Sequence, residues 1–337
     1  MSSTRNAARL VALVASVGLL ATACSGGDDA GSDGADGGST TDVKFGYIGD
    51  FNGASLLAVA EDQGYWKENG ISADTSVFTD GPTQIQALGA GDLDFGYIGP
   101  GAMWLPASGK AQVVAINTLG NADRVFAQPG ITSLADLKGK KVAAPEGTSG
   151  DMILTLALQS VGLTKDDVDF VPMDPATIVS AFGSGQIDAA GLWYPMLGNI
   201  KKQVPDLVEL AKNEDFADTV SFPTAFVAGN DTVKDDPDTV EAVVAALKEA
   251  TDYRAEHPEE TVALTAKMLK ADEADVEADA ANSKTMSSQE LDSLTEDGTV
   301  GTWLDGMNDY FVEAGKITEK KDPTTFYTGD LYTEAGK

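Results

Sequence analysis

Three observations predict an α/β fold of two similar lobes around a central cleft. A fifteen-residue stretch beginning at Asp80 recurs 94 residues later at Asp174, each copy sits in an alternation of short apolar runs and helical patterns, and a tail of helices follows both copies. Six of the fifteen paired positions are identical: Asp80/Asp174, Thr83/Thr177, Ala87/Ala181, Gly89/Gly183, Gly91/Gly185 and Asp94/Asp188. Solenoid arrays repeat every 20 to 50 residues or so, so this longer spacing gives each copy room for a unit with its own core.

The first copy opens with Val43 to Ile48, an alternating run that reads as a strand and stops at the turn formers Gly49-Asp50-Phe51-Asn52-Gly53. Leu56, Leu57, Val59 and Ala60 then mark one face of a helix that should close near Gly64. Ala73 to Phe78 predicts a second strand, Pro82 to Leu88 a second helix and Leu93 to Ile98 a third strand.

The second copy repeats this order. After a short helix before Gly139 come a strand at Lys141 to Ala144, a loop at Glu146 to Gly150 and a helix at Met152 to Val161. A strand at Val168 to Pro172, a helix at Thr177 to Phe182 and a strand at Ile187 to Trp193 complete it. Right-handed crossovers between parallel strands put all the strand-to-helix loops at one edge of each sheet, and two facing edges enclose one cleft. The tail predicts helices from Pro237, with Val240, Val243, Val244, Leu247 and Tyr253 on one face, from Pro258 to Leu269, and around Trp303 to Phe311, all packing back on the first lobe.

At the amino end, Arg5 and Arg9 precede an apolar run from Leu10 to Ala23, the pattern of a signal peptide and too short to span a bilayer comfortably. Leu20-Ala-Thr-Ala-Cys24 resembles a bacterial lipobox, which makes Cys24, the only cysteine, the expected lipidation site and membrane anchor. Residues 25–41 are rich in Gly, Ser and Asp and hold no aliphatic side chain larger than Ala, so they predict a tether. The expected division is therefore a signal peptide at 1–23, a lipidated cysteine and linker at 24–42, and about 295 folded residues beyond, enough for two domains.

Composition excludes several functions. The net charge of -30 becomes -32 once residues 1–23, with two Arg and no acid, are removed, and such a body has no general attraction for nucleic acid or anionic lipid. His257, the only histidine, lies in the polar run Ala255-Glu-His-Pro-Glu-Glu260, which offers no frame for a catalytic triad or a histidine metal site. With Cys24 assigned to the anchor, thiol catalysis is excluded as well. Gly183-Ser-Gly185 follows a helix and precedes a strand, the reverse of a dinucleotide fingerprint. No enzyme activity, cofactor or metal is expected.

The candidate ligand residues are those at the strand ends. Glu146, Thr148, Ser149 and Asp151 surround a helix start, where backbone N–H groups and the helix dipole suit an anionic or strongly accepting group, although Thr148 or Ser149 also suits a plain helix cap. Asp50, Phe51 and Asn52 in the matching loop combine a carboxylate, an aromatic face and a carboxamide, a set able to hold an ammonium. Asp80 begins the next loop, and Gly99, Pro100, Trp193 and Tyr194 end the third strands as walls of the cleft.

Gly64-Tyr-Trp-Lys-Glu-Asn-Gly-Ile71, Ala90-Gly-Asp-Leu-Asp94, Asp136-Leu-Lys-Gly-Lys-Lys-Val142 and Gly191-Leu-Trp-Tyr-Pro195, together with the lipobox and the tandem lobes, resemble the solute-binding lipoproteins of ABC importers in the nitrate/sulfonate/taurine group, related to the thiamine-precursor binders. The resemblance covers roughly residues 43–315. It implies a type II periplasmic-binding-protein fold, a Venus flytrap with lobe I at 43–127 plus 224–337 and lobe II at 128–223, hinged near Arg124–Gln128 and Phe222–Val227. It also implies a monomer held by its lipid outside the cytoplasmic membrane, with a permease and an ATPase as partners.

Sulfonate binders of the group commonly carry His-Tyr where this chain has Asp151-Met152. Because Asp50, Asp80 and Glu146 also lie on cleft loops, an alkanesulfonate would meet carboxylates, and the expected solute has a cationic or hydrogen-donating nitrogen end. Taurine or another sulfonate-class solute fits the group, and a cationic amine, amidine or pyrimidine precursor fits the charge. A sensor lipoprotein without transport is the remaining alternative; pyrimidine-forming enzymes of the same fold carry a Cys-rich motif and an essential His that this chain lacks.

Overall fold

The computed structural model describes residues 40–337; the signal peptide, Cys24 and most of the expected linker lie outside the described residues. Two mixed sheets carry the fold. In the first, β1 (Thr41–Ile48) pairs in parallel with β2 (Ile71–Phe78) and β3 (Phe95–Ile98), β10 (Pro223–Ala228) pairs antiparallel to β3, and β4 (Gln112–Gly120) and β11 (Ser283–Thr285) complete the order β11-β4-β10-β3-β1-β2. In the second, β6 (Lys141–Ala144) lies parallel to β7 (Asp169–Pro172) and β8 (Ala189–Trp193), β5 (Asp123–Ala127) is antiparallel to β8, and β9 (Val208–Lys212) closes the order β7-β6-β8-β5-β9.

The two orders are the same apart from β11, so the duplication seen in the sequence is a duplication of topology. Each unit runs strand, helix, strand, helix, strand and a further strand, and then sends its next strand, β5 or β10, across into the other sheet. The first crossing lies at Asn121-Ala122, which corrects the expected boundary at 127: Asp123–Ala127 belongs to the second sheet because it pairs with β8 from Asp123 opposite Trp193 onward. β1 also begins at Thr41, two residues into the expected linker.

The repeated residues hold equivalent places. Asp80 and Asp174 cap their helices, Gly81–Ala90 and Pro175–Gly183, by accepting from the N–H groups of Thr83 and Thr177, each at 2.9 Å. Asp94 and Asp188 accept from the N–H groups of Lys44 and Lys141, each at 2.8 Å, which ties the approach to the third strand to the first strand. Strands β4, β9 and β11 were not anticipated. The helix Phe51–Gln63 ends as expected at Gly64, whose φ of 83° is open to glycine at little cost.

Packing fixes the loops in space. Phe45 stacks on Phe95 and meets Phe226 edge-on, both with centroids 5.6 Å apart, while Phe126 and Phe182 at 4.9 Å anchor the second sheet. The helices Pro237–Glu256 and Pro258–Leu269 pack on Phe51–Gln63, so the tail covers the first sheet's outer layer as the sequence predicts. Among the described residues no helix is long and apolar enough to cross a membrane.

Candidate functional site

The carboxyl ends of β1, β3 and β4 and the start of β10 meet the end of β8, the start of β5 and the helix start after β6 around one narrow cavity of about 40 Å³. Gly99, Pro100, Tyr97, Gly120 and Thr224 come from the first sheet; Asp123, Thr148, Ser149, Trp193 and Tyr194 come from the second. The lobes touch here. A Cβ at Gly101 would stand 2.2 Å from the carbonyl of Thr148, and the Trp104 indole donates to Gly147 O at 3.2 Å, so the turn after β3 packs directly on the helix start of the other unit.

Three buried carboxylates border the cavity. Asp50 caps the helix Phe51–Gln63, its Oδ1 accepting from Gly53 N at 2.6 Å, and Asp279 reaches the same helix end from Glu273–Ala280, its Oδ2 accepting from Phe51 N at 2.7 Å. Burial pushes the Asp50 carboxyl well above the usual carboxylate range, with the neighbouring Asp279 adding to the shift, and burial pushes Asp279 up to about 7. The helix dipole and the two N–H groups favour the charged forms, but desolvation outweighs them. Burial also raises Asp123, which is 3% exposed. Its Oδ2 accepts from Asn213 Nδ2 at 2.9 Å, the Ser149 hydroxyl lies close enough to the carboxyl to favour its charged form, and among the described residues Oδ1 has no well-aligned hydrogen-bond partner.

Among the described residues no Lys, Arg or His lines this cavity. Arg124, next to Asp123, turns away: it donates to Asn121 O at 2.6 Å, Glu209 at 3.1 Å and Asn282 at 2.8 Å, and its guanidinium lies 5.8 Å from the Tyr194 ring centre. Lys201 donates to the Tyr194 hydroxyl at 2.6 Å and lies 5.3 Å from the ring centre. Arg254, fully buried behind the cavity, donates to Asn117 Oδ1 at 2.8 Å and Ser55 Oγ at 3.2 Å, and burial lowers it to about 10. Asn117 in turn donates to Asn52 O at 2.8 Å, and Thr118 donates to Asn52 Oδ1 at 3.1 Å. With that oxygen occupied, the Asn52 amide N–H groups are the part of the side chain left to face the cavity.

The family of the chain follows from comparison with known proteins. A family model described as NMT1/THI5 like matches residues 53–261. The chain belongs to the NMT1/THI5-like family. A Brucella abortus protein named as a putative binding protein is 55% identical over 291 residues, covering 86% of this chain and 91% of that one. The taurine-binding periplasmic protein of Escherichia coli is 28% identical over 144 residues, 42% of this chain and 45% of its own length. The alkanesulfonate-binding protein SsuA of Xanthomonas axonopodis, solved with MOPS bound, superposes with a TM-score of 0.69 at 20% identity over 86% of this chain and 98% of that one, which shows the periplasmic-binding-protein fold.

Of the residues expected to bind ligand in this NMT1/THI5-like chain, Asp50, Asn52, Gly99, Pro100, Thr148, Ser149, Trp193 and Tyr194 line the cavity. Four do not. Phe51 is buried on the far side of its helix against Ala266 and Val276, and Asp80 is spent as a helix cap beside Gly81, which does line the cavity. The Glu146 side chain is 62% exposed and 3.6 Å from Lys316. Asp151 is buried outside the lining, accepting from Gly147 N at 3.0 Å and pairing with Lys165 and, at 3.4 Å, with Lys316.

Tyr97, Asp123, Thr224 and Asp279 were missed. Asp123 precedes a predicted hinge strand, and the start of an antiparallel strand falls at the same sheet edge as the ends of its parallel neighbours, so topology points to it. For Asp279 the sequence holds no such signal.

Proposed function

We propose that this chain is the extracytoplasmic solute-binding subunit of an ABC importer, and that its solute is a compact cation with N–H donors, an amine or an amidine-like base such as an aminopyrimidine. The observation that carries the reading is the buried Asp123 Oδ1, without a well-aligned partner, in a cavity lined, among the described residues, by two further buried carboxylates and no basic side chain. A bound cation supplies the missing counter-charge and the missing donor. Trp193, Tyr194 and Tyr97 add aromatic walls suited to a cation. The three acids do not form a group able to hold a metal ion, which favours an organic cation that spans them.

The taurine and sulfonate relatives support a second reading, in which a sulfonate sits on the helix start at Thr148 and Ser149 and an ammonium meets Asp50. The Asp123 carboxyl stands beside that helix start, so an acid group there meets a like charge. A base without an acid group fits better.

In this reading residues 41–121 plus 223–337 and residues 122–222 close on the solute about the two crossing connections, Cys24 carries the lipid anchor, a permease and an ATPase receive the solute, and the protein acts as a monomer without catalysis. A thermal-shift and titration panel of ethylamine, acetamidine, 4-aminopyrimidine, taurine, ethanesulfonate and nitrate tests it. The bases are expected to raise the melting temperature and ethanesulfonate to leave it unchanged. Binding of ethanesulfonate or nitrate with no response to any base would sink the cationic reading.

A further inference from the structure

We propose that the solute extends beyond the inner cavity into a second space at the rim of the same cleft, and that it is therefore an amphiphilic monocation, a charged nitrogen end followed by an apolar chain or ring. The proposal rests on the cationic reading of the inner site. The outer space is about 340 Å³, against about 40 Å³ inside. Both are built from adjacent residues of the same segments: Ile48 and Asp50 line the inner space and Tyr47 and Gly49 the outer, Trp193 and Tyr194 the inner and Pro195 the outer, and Asp279 lines both. Asp279, which lines both spaces, is where we place the passage of the solute from the inner acids toward the rim.

The outer walls are largely apolar, with Asp275, Asp279 and Lys270 as their charged members. Val77, opposite Tyr47 in the β1–β2 pairing, is 65% exposed, the most open large hydrophobic side chain among the described residues. Met268, Leu269 and Val276 face the same space. Lys270 caps the helix Pro258–Leu269 with φ 54°, the only non-glycine residue in the left-handed region among the described residues, a conformation glycine would adopt without strain. That placement puts a lysine on the rim of the outer space, where its ammonium opposes a second positive charge on the solute. Asp275 also lines the outer space but is paired with Lys202 at 2.7 Å, so with Lys270 on the rim the space takes an apolar tail in preference to a second amine.

Titration of the protein with primary n-alkylamines from ethylamine to hexylamine, and with 1,6-diaminohexane, tests this. Affinity should rise along the series by up to about fourfold per methylene buried. Hexylamine should bind at least about tenfold more tightly than the diamine, and Lys270→Gln should narrow that gap. A Val77→Asn, Met268→Gln double variant should flatten the rise and leave ethylamine affinity as it was. If ethylamine binds but the series is flat, or the double variant keeps the slope, the outer site is overturned and the inner one stands. If no amine binds, both are overturned.

Discussion

The two helix starts that meet at the cavity occupy equivalent places in equivalent units, yet their chemistry is opposite. After β1, the capping residue is Asp50, whose carboxylate closes the helix and borders the cavity, and Asp279 adds a second carboxylate at the same helix end. After β6, the capping position is Thr148, whose hydroxyl donates back to Pro145 O at 2.6 Å and leaves the helix without a side-chain cap, while Asp151, three residues on, is paired with two lysines outside the lining. The first unit offers negative charge; the second offers peptide donors and the Asp123 oxygen that lacks a well-aligned partner. The duplicated scaffold fixes where the loops point, and one residue's place relative to the cap decides whether an acid serves the cavity or the packing.

The sharpest way to break this comparison is to neutralise one acid at a time. Asp50→Asn and Asp123→Asn should each weaken binding of acetamidine or ethylamine on the order of a hundredfold, because a buried cation then loses a direct charge partner. Ser149→Ala at the opposite helix start should change it by less than about threefold. If titration calorimetry gives the reverse order, recognition belongs to the helix start and the acids are bystanders.

Closure itself can be tested at the contact between the two units. Gly101→Ala places a methyl carbon 2.2 Å from the Thr148 carbonyl, and because this is backbone it cannot swing aside. The lobes of the variant should stop short of full contact, with affinity reduced about tenfold, a larger radius of gyration in the presence of ligand, and little change in the melting temperature of the free protein. An unchanged scattering profile would mean that this contact does not limit closure.

Asp151 sharpens the comparison from the other side. Asp151→Asn breaks a buried pairing with Lys165 and Lys316 and should cost about 2 kcal/mol of stability in denaturant titration, a value kept low because both lysines remain partly exposed to solvent. Binding of acetamidine by the folded variant should stay within about twofold of the parent. A large loss of affinity at constant stability would return Asp151 to the site.

The scaffold was legible because it is local. Asp80, Asp94, Asp174 and Asp188 act within their own units, and their spacing with the glycines announces two copies of one topology. Asp50 was legible because it directly follows the first strand. Asp151 was misplaced because a loop sequence does not tell which residue takes the cap, and the facing of each side chain in the first turn depends on that choice. Asp279 was not legible at all: it is one of four alternating acids in Glu273–Ala280, and only tertiary packing sets it apart by burying it against the N–H of Phe51, 228 residues earlier. β9 escaped because its short run, Val208–Lys212, mixes charged and apolar residues without clear strand patterning.

The smallest effect tests the same asymmetry through protons. Asp279 is raised to about 7 and Asp50 is raised with it, whereas carboxylates in an unfolded chain titrate near 3.8. The folded, ligand-free protein therefore binds more protons than the unfolded chain between about pH 4 and pH 7. The stability these two groups contribute is fully present below pH 4 and is lost as pH rises through 7. Exposed carboxylates such as Asp174, held low by their caps, produce the opposite slope, so the measurement must be a difference. Relative to Asp279→Asn, the parent's melting temperature should fall by a few degrees from pH 5 to pH 8 without ligand. In the presence of acetamidine the trend should reverse, because the cation binds the ionised acids and releases their protons. A parent and variant that keep a constant offset across this range, with and without acetamidine, would show that Asp279 is not the proton-bearing partner of the acidic lobe.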